Sequence, residues 1–501
     1  MRRNLLIAVI LYTLLAVVMT WPLVLNFGTV IPGVEGDAAS YVWALGWART
    51  ALVNGSSPFH TDYIFYPLGG ATQLLWAISL LGFLSIPLQA LIGLVAAHNL
   101  LYLGATVLTA YGTFLLTEDI LREASRAGQT REFDARPLPP FAMFLVTQFV
   151  IQNRKRAGRS FLAPFAAGVV FAFAPLRLGY GLSFLNLFNT EFIPFYLLFL
   201  MRATRQRSWR LSVLAGIFLG LNAYIDFQIA AFLILLTILY AAYTLAGRVD
   251  NPLRVMASWS LIALVSLLVA APMLAAVADD LTIEGSNYIR VYPLDYSASR
   301  SYDLLSFVVP NARSTLYAGA PLKIANVNAA VHSEDESALS PDRQPFVGFV
   351  VVALAAYAVL RRWRVARFWL LIALVFALFS LGPTLHMVGQ PTGIPLPFLV
   401  LHEIPIVNHI RIPMRYGIVV PLALAVLVGI AVSNIQVAID NAKSRIRTLD
   451  VSNVPLRRAL GLRVAELSLW LVPVAVLFEY AVLPYPIQPL TVPRIYDEIA
   501  R

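Results

Sequence analysis

The sequence predicts an all-α integral membrane protein, a single bundle of membrane-spanning helices, on three observations. Of its 501 residues 59% are hydrophobic and 13% are charged, where a soluble domain has roughly 45–50% apolar and about 25% charged. The apolar residues gather in runs of about 20, the length a helix needs to cross a hydrocarbon core about 30 Å thick. Short arginine-bearing connections separate the runs, as cytoplasmic loops do. At roughly 30 residues per span with its connection, and with two long loops set aside, the length holds about 10 to 13 spans. Several independent soluble domains do not fit.

Cysteine is absent, which excludes disulfides, thiolate metal sites and cysteine nucleophiles. The formal charge of +10 does not point to nucleic acid, because the basic residues lie in short loops and form no continuous stripe. Arginine in preference to lysine, with no cysteine, suggests a prokaryotic source. Met1, Arg2 and Arg3 precede an apolar stretch to Leu25 that is too long for a signal peptide and lacks a small-residue cleavage site. It is expected to be the first span.

Further spans are expected near 97–117, 161–177, 184–202, 211–225, 227–246, 255–277, 346–360, 367–385, 416–436 and 465–483, giving 11 with the first. Basic clusters at Arg202 to Arg210, Arg248 and Arg254, Arg361 to Arg367, and Lys443 to Arg463 mark the cytoplasmic side. The outer side then receives 26–72, the tip near Tyr180, the turn at Asp226, the long loop 279–344, the proline-rich loop 387–415 and the C-terminus. Residues 74–96 look able to span, which with a crossing at 141–153 would give 13 spans. A 13-residue helix reaches only about 20 Å, so 141–153 is read as interfacial, and 74–96 as a juxtamembrane or re-entrant helix broken near Pro87. Three regions result: a membrane module 1–277 with its outer loop 26–96, a long outer loop 278–345, and a second membrane module 346–501.

Polar groups at the outer surface are the candidates for chemistry. Glu35 and Asp37 sit on a glycine-flanked turn before a helix from Ala38 to about Val53, whose apolar stripe is Tyr41, Ala44, Leu45, Ala48 and Leu52. Asp37 either caps that helix or is free to act. Asp62 lies in FHTDYIFYPL, whose aromatics suit carbohydrate stacking or anchoring in the headgroup region. Glu191, with Asn186 and Asn189 nearby, enters a span, and Asp226 sits in an otherwise apolar hairpin. Ionisable groups at such depths are functional candidates, unless an arginine elsewhere neutralises them. In LHEIPIVNHIRIPMRYG, His402, His409, Arg411 and Arg415 meet the outer end of a span. Planar guanidinium forks suit a phosphate, and lipid-headgroup anchoring is the alternative. If a helix begins near Pro413, Arg411 and Arg415 share one face. His332, Glu334, Asp335 and Glu336 lack helical ligand spacing and read as solvated surface, so no metal ligand is assigned.

The stretches GDAASYVWALGWA, IFYPLGG, FAFAPLRLGYG, SYDLLSFVVPN, FSLGPTLHMVGQ and IRIPMRYG, spread over nearly the whole chain, resemble motifs of a poorly characterised group of prokaryotic multispanning proteins. That group is placed in the GT-C superfamily of membrane glycosyltransferases, related to protein mannosyltransferase and aminoarabinose transferase types. The resemblance implies a GT-C-like bundle of about 11, or 13, helices with juxtamembrane helices in the first outer loop. It implies an inverting glycosyltransferase of the inner membrane that moves a sugar from a polyprenyl-phosphate donor to an extracytoplasmic glycan, lipid or protein acceptor. The superfamily's catalytic base carries over to Asp37, with Glu35 beside it. No cofactor is fixed, and a divalent cation is left open. Related chains often carry histidines in stretches matching Ala71 to Ala77 and Gly179 to Leu187, where this one has none, and often continue into an outer soluble domain. Two other classes stay open: a non-catalytic membrane subunit with protein partners, and a transporter of lipid-linked saccharides, which needs polar residues along a path through the bundle.

Overall fold

The computed structural model describes residues 2–34, 37–64, 78–133, 160–247, 250–281, 292–310, 314–317, 345–404, 410–448 and 456–490. The chain is mostly helical. Helix α1 (Arg2–Met19) leads through a 3-10 turn and strand β1 (Val30–Pro32) to α2 (Ala38–Asn54), α3 (Ser79–Ile92) and α4 (Leu94–Phe133). Next come α5 (Leu162–Ala172), the short α6 (Pro175–Tyr180) and α7 (Leu185–Phe188), then α8 (Phe192–Gln206), α9 (Trp209–Ala223), α10 (Phe227–Ala246) and α11 (Pro252–Leu281). Then follow α12 (Leu294–Ala298), α13 (Phe349–Arg361), α14 (Trp363–Ser380), the hairpin β2 (Thr384–Met387) with β3 (Gln390–Pro395), and α15 (Phe398–His402). A 3-10 turn at Pro413–Ile418 runs into α16 (Val419–Thr448), and α17 (Leu456–Leu469), α18 (Leu471–Tyr480) and β4 (Ile487–Pro489) complete the described chain.

Small residues decide what sits in the middle. Ala163, Ala166, Ala167, Gly168 and Ala172 line α5, and every residue of that helix is buried. Such residues let helix backbones approach closely where lipid offers no hydrophobic drive for association. Gly216 and Gly220 of α9 do the same against α11: a Cβ at either position would lie 2.6 Å from Val265 or Val269. At the periphery Leu264, Leu267 and Leu268 of α11 are more than half exposed, as side chains facing lipid would be.

A helix stands in each of the eleven segments expected to span, but the count of 11 or 13 crossings is not confirmed. Among the described residues six helices are long and apolar enough to cross a membrane, and up to seven if Gly461–Leu469 and Leu471–Tyr480, bent by 40°, form one span. The 17-residue Arg3–Met19, and likewise Trp209–Ala223 and Phe349–Arg361, are apolar but shorter. At about 1.5 Å per residue a 15-residue helix covers roughly 22 Å, less than a full hydrocarbon core. The protein is a multi-pass membrane protein with a mixture of full and partial helices.

The segment 74–96 also differs from expectation. Helix α3 continues through Pro87, and the break falls at Gly93, whose φ of +84° suits glycine because no Cβ opposes it. With 14 residues, α3 is short for a span. Its contact with α2 is close: a Cβ on Gly82 would meet the Ala48 side chain at 2.8 Å. The interfacial helix expected at 141–153 lies outside the described residues, as does most of the long loop 278–345.

Long-range contacts sort the loops to two ends. At one end Arg202 and Arg205 pair with Asp119, Trp259 Nε1 donates to Thr204, Arg367 Nε donates to the Tyr243 hydroxyl at 2.8 Å, and Lys443 pairs with Glu466. These are the basic clusters. At the other end β1 pairs with β4, Val34 N donates to Leu182 O, Thr315 N to Ala481 O, and Gly389 N to the Asp303 carboxylate. These are the loops expected outside.

Candidate active site

Asp37 stands at the head of α2, and its side chain is exposed. It makes no capping hydrogen bond; the first turn is closed by its backbone carbonyl, which accepts from Ser40 N at 3.0 Å. Of the two sequence alternatives for Asp37, capping is therefore not what the side chain does. One turn further on, Tyr41 is buried with Ala44, Leu45 and Ala48, while Leu52 of the expected stripe is exposed.

From Tyr41 a chain of hydrogen bonds crosses the bundle. The Tyr41 hydroxyl donates to Asn186 Oδ1 at 2.5 Å, and Asn186 Nδ2 donates to Asp226 Oδ2 at 2.5 Å. Asp226 Oδ1 accepts from Gln228 N at 2.6 Å and Ile229 N at 3.2 Å, capping α10. The Gln228 side chain in turn accepts from Arg415 Nη1 at 3.2 Å. Four separate segments thus meet on one line: α2, α7, the head of α10 and the turn before α16. Burial pushes the Asp226 carboxyl above the usual carboxylate range, against the pull of Arg415, Asn186 and the two backbone N–H groups.

Arg415 follows from local sequence. Pro413 opens the 3-10 turn, where a missing N–H costs nothing, and two residues later the guanidinium points back to Gln228. Its Nε is buried with no partner among the described residues, and its Cζ lies 5.7 Å from the Phe184 ring. A buried donor left unsatisfied costs about 1–3 kcal/mol, so this nitrogen is suited to an anion or a water. Arg411 does not share that face. It precedes the turn, and its Cζ sits 4.2 Å over the Tyr292 ring.

Among the other candidates, Asp62 is exposed beside His60, at 3.3 Å. His402 Nε2 meets the Tyr292 carbonyl at 3.1 Å. Glu191 is buried, its Oε2 unpartnered among the described residues, close enough to Arg177 for the two charges to interact. Arg177, missed in the sequence although it is the lone charge in FAFAPLRLGYG, is buried too. Its Nε donates to Thr190 at 2.9 Å, its Nη1 to Ala172 O at 2.8 Å, and its Cζ lies 3.9 Å over the Phe188 ring. Gln228 and Tyr41 were likewise not singled out as site residues. Glu35, His409, His332, Glu334, Asp335 and Glu336 lie outside the described residues. Among the described residues no group of three His, Asp or Glu side chains is placed to hold a metal ion.

Two further carboxylates hold structure. Asp303 accepts from Leu305 N at 2.8 Å and Gly389 N at 2.9 Å, tying SYDLLSFVVPN to the β2–β3 hairpin. Glu479 accepts from Phe349 N and Val350 N at the head of α13.

No family model matches the sequence, and no curated protein matches it. Among solved structures, the chain is similar to the apo oligosaccharyltransferase of Archaeoglobus fulgidus, with 16% identity, a TM-score of 0.49, 99% of this chain covered and 57% of that one. It is similar as well to the arabinofuranosyltransferase AftD from Mycobacteria, with 15% identity, a TM-score of 0.47, 99% of this chain covered and 29% of that one. The chain thus spans less than two thirds of the length of either.

Proposed function

We propose that the protein is a GT-C-type glycosyltransferase of the inner membrane, N-terminus in the cytoplasm and described C-terminal strand outside, transferring a sugar from a polyprenyl-phosphate donor to an extracytoplasmic acceptor with inversion. The observation that carries this reading is an exposed carboxylate that caps no N–H group, Asp37, one turn before Tyr41, from which hydrogen bonds run through Asn186, Asp226 and Gln228 to the half-buried guanidinium of Arg415. The Asp37 carboxylate takes the proton of the acceptor hydroxyl as that oxygen bonds to the anomeric carbon. The bond from the anomeric carbon to the phosphate oxygen breaks on the opposite face, and its electron pair leaves on the phosphate. Arg415, through its unpartnered Nε, offers that developing charge a fixed positive partner. A lipid-borne donor is compatible with a chain that carries no glycine-rich nucleotide loop.

The transporter alternative needs a polar path through the bundle, and the described polar contacts beside α4, Thr106 with Arg177 and Thr109 with Thr190, form a local cluster.

The test is transfer by the purified full chain in nanodiscs, with a panel of short-chain polyprenyl-phosphate sugars and a hydroxyl acceptor. Wild-type turnover with inverted product, lost in Asp37→Asn, supports the reading; no turnover with any donor, together with a stoichiometric protein partner by mass spectrometry, favours the non-catalytic subunit. Orientation is read separately from single cysteines. Ser57→Cys in intact cells should react with an impermeant thiol reagent, and Gln206→Cys should be shielded.

A further inference from the structure

Helix α2 carries a second feature besides Asp37. Ser40, Trp43, Trp47, Thr50 and Asn54 recur at the three- and four-residue intervals that fall on one helix face. All but Trp47 are exposed. The Trp43 and Trp47 rings stack, with centroids 6.1 Å apart and planes at 8°, and Tyr63 leans on Trp47 at 5.3 Å and 54°. The helix end explains how Tyr63 gets there. Gly55 takes a φ of +66°, its N–H returns to Leu52 O, and Ser56 N donates to Ala51 O at 2.9 Å. This left-handed close reverses the chain, which then runs back to Trp47, about two turns above the helix end.

This face is not built for lipid. It carries no aliphatic side chain, whereas the outer face of α11 presents Leu264, Leu267 and Leu268. Beside Tyr63, itself 74% exposed, His60 and Asp62 stand 3.3 Å apart with 46% and 79% of their side chains exposed. Ionisable groups so open belong in water. Aromatic faces carry partial negative charge and attract the C–H bonds of a sugar ring, while the hydroxyls of that ring need partners at its edge. Asp62 supplies an acceptor, and His60, Thr50 and Asn54 supply both donors and acceptors. A hydrocarbon tail would leave these groups without partners, and an anionic headgroup would meet the Asp62 carboxylate. A neutral polyhydroxylated ligand meets both the rings and their polar rim.

We propose that Trp43 and Tyr63, joined by Trp47, form a carbohydrate-binding platform that holds the remote units of an oligosaccharide acceptor while its terminal hydroxyl lies at Asp37. Trp43 follows Asp37 by six residues, about 9 Å along α2, and Trp47 by ten, about 15 Å. That is the reach of a short oligosaccharide and exceeds that of a single sugar. The role of the bound glycan as acceptor rests on the transferase reading; its binding to the platform does not.

The experiment is a calorimetric titration of the full chain in phosphatidylcholine nanodiscs with neutral hexasaccharides of glucose, mannose, galactose, N-acetylglucosamine and arabinose, and with the corresponding monosaccharides. Wild type should bind at least one hexasaccharide saturably, and its monosaccharide at least tenfold more weakly. Affinity should fall tenfold or more in Trp43→Ala and in Tyr63→Ala, and by less in Trp43→Phe and Tyr63→Phe, which keep a ring. Tyr63→Ala, at an exposed side chain, and the two phenylalanine variants keep the test decisive where Trp43→Ala does not fold. In the transfer assay the alanine variants should raise KM for the hexasaccharide and leave kcat and transfer to a monosaccharide unchanged, so a chain that binds glycan without transferring sugar refutes the transferase reading alone. No hexasaccharide binding by wild type, or binding equal in the alanine variants, overturns the platform. So does quenching of Trp43 fluorescence, taken as wild type minus Trp43→Ala, by phosphatidylcholine brominated in its acyl chains, since that places the face in lipid.

Discussion

Asp37 and Asp226 occupy the same formal position, each immediately before a helix, and use it in opposite ways. Asp226 is 1% exposed and spends both carboxylate oxygens on Asn186 and on two N–H groups of α10. Asp37 is exposed and leaves the N–H groups of α2 without its side chain. The difference lies in the backbone. Asp226 is extended, with φ −163° and ψ 125°, which turns its side chain onto the helix end, whereas Asp37 is already helical at φ −77° and ψ −8°, which turns it away. A capping residue takes non-helical angles. One aspartate is thus committed to architecture, and the other is available for reaction.

Four substitutions and one titration would break or sharpen that contrast. The largest effect is expected from Asp37→Asn, with turnover reduced about 10²- to 10⁴-fold and the thermal midpoint unchanged; transfer at the wild-type rate would end its role as base. Asp226→Ala should act the other way round, lowering unfolding stability by about 2 to 4 kcal/mol through a lost cap and a buried donor on Asn186 left unpaired. A thermal melt that leaves Asp226→Ala as stable as wild type would show that the crossing network is incidental. Arg415→Lys keeps the charge and loses the planar fork, so titration with a donor analogue should show binding weaker by about 1 to 2 kcal/mol. Tyr41→Phe removes one hydrogen bond to Asn186 and should cost about 1 kcal/mol of stability.

The smallest effect is in pH. Because burial holds the Asp226 carboxyl above its unfolded value of 3.8, the folded state binds that proton more tightly than the unfolded chain. The resulting contribution to stability is fully present below the unfolded value and is lost as pH rises through the raised folded one. Asp226→Asn, which does not titrate, should flatten that part of the stability profile in wild type.

What the sequence disclosed follows from the range over which its signals act. Apolar runs are local, and each expected span contains a helix; arginine in connections is local too, and the basic loops do gather at one end. The length of α9 was legible, and its reading as a full crossing was not: the span expected at 211–225 is as short as the 15-residue helix Trp209–Ala223. Gly93 was passed over for Pro87 because proline announces a break by itself, whereas a glycine does so only when the chain needs a positive φ. At the site, Asp37, Asp226 and Arg415 could be singled out as charges in apolar surroundings, but the neutral Tyr41 and Gln228 that join them carry no such mark. Nor does spacing reveal that Arg411 and Arg415 face different partners, since that depends on Tyr292 and Gln228, both remote in sequence.

The pairing of β1 with β4 sets a schedule for biogenesis. The segment that leads into Asp37 is held by the far end of the described chain: Gly33 N donates to Pro486 O, Tyr485 N to Trp21 O, and the Tyr485 hydroxyl meets Tyr102 at 2.7 Å. During synthesis the first helices are released long before residue 485 is made, so that segment waits without its strand partner while the rest of the bundle is inserted. Completion of the rim is therefore a late event, and a nascent chain halted before α18 would hold the segment before Asp37 through Asn99 and Leu182 but without its strand partner.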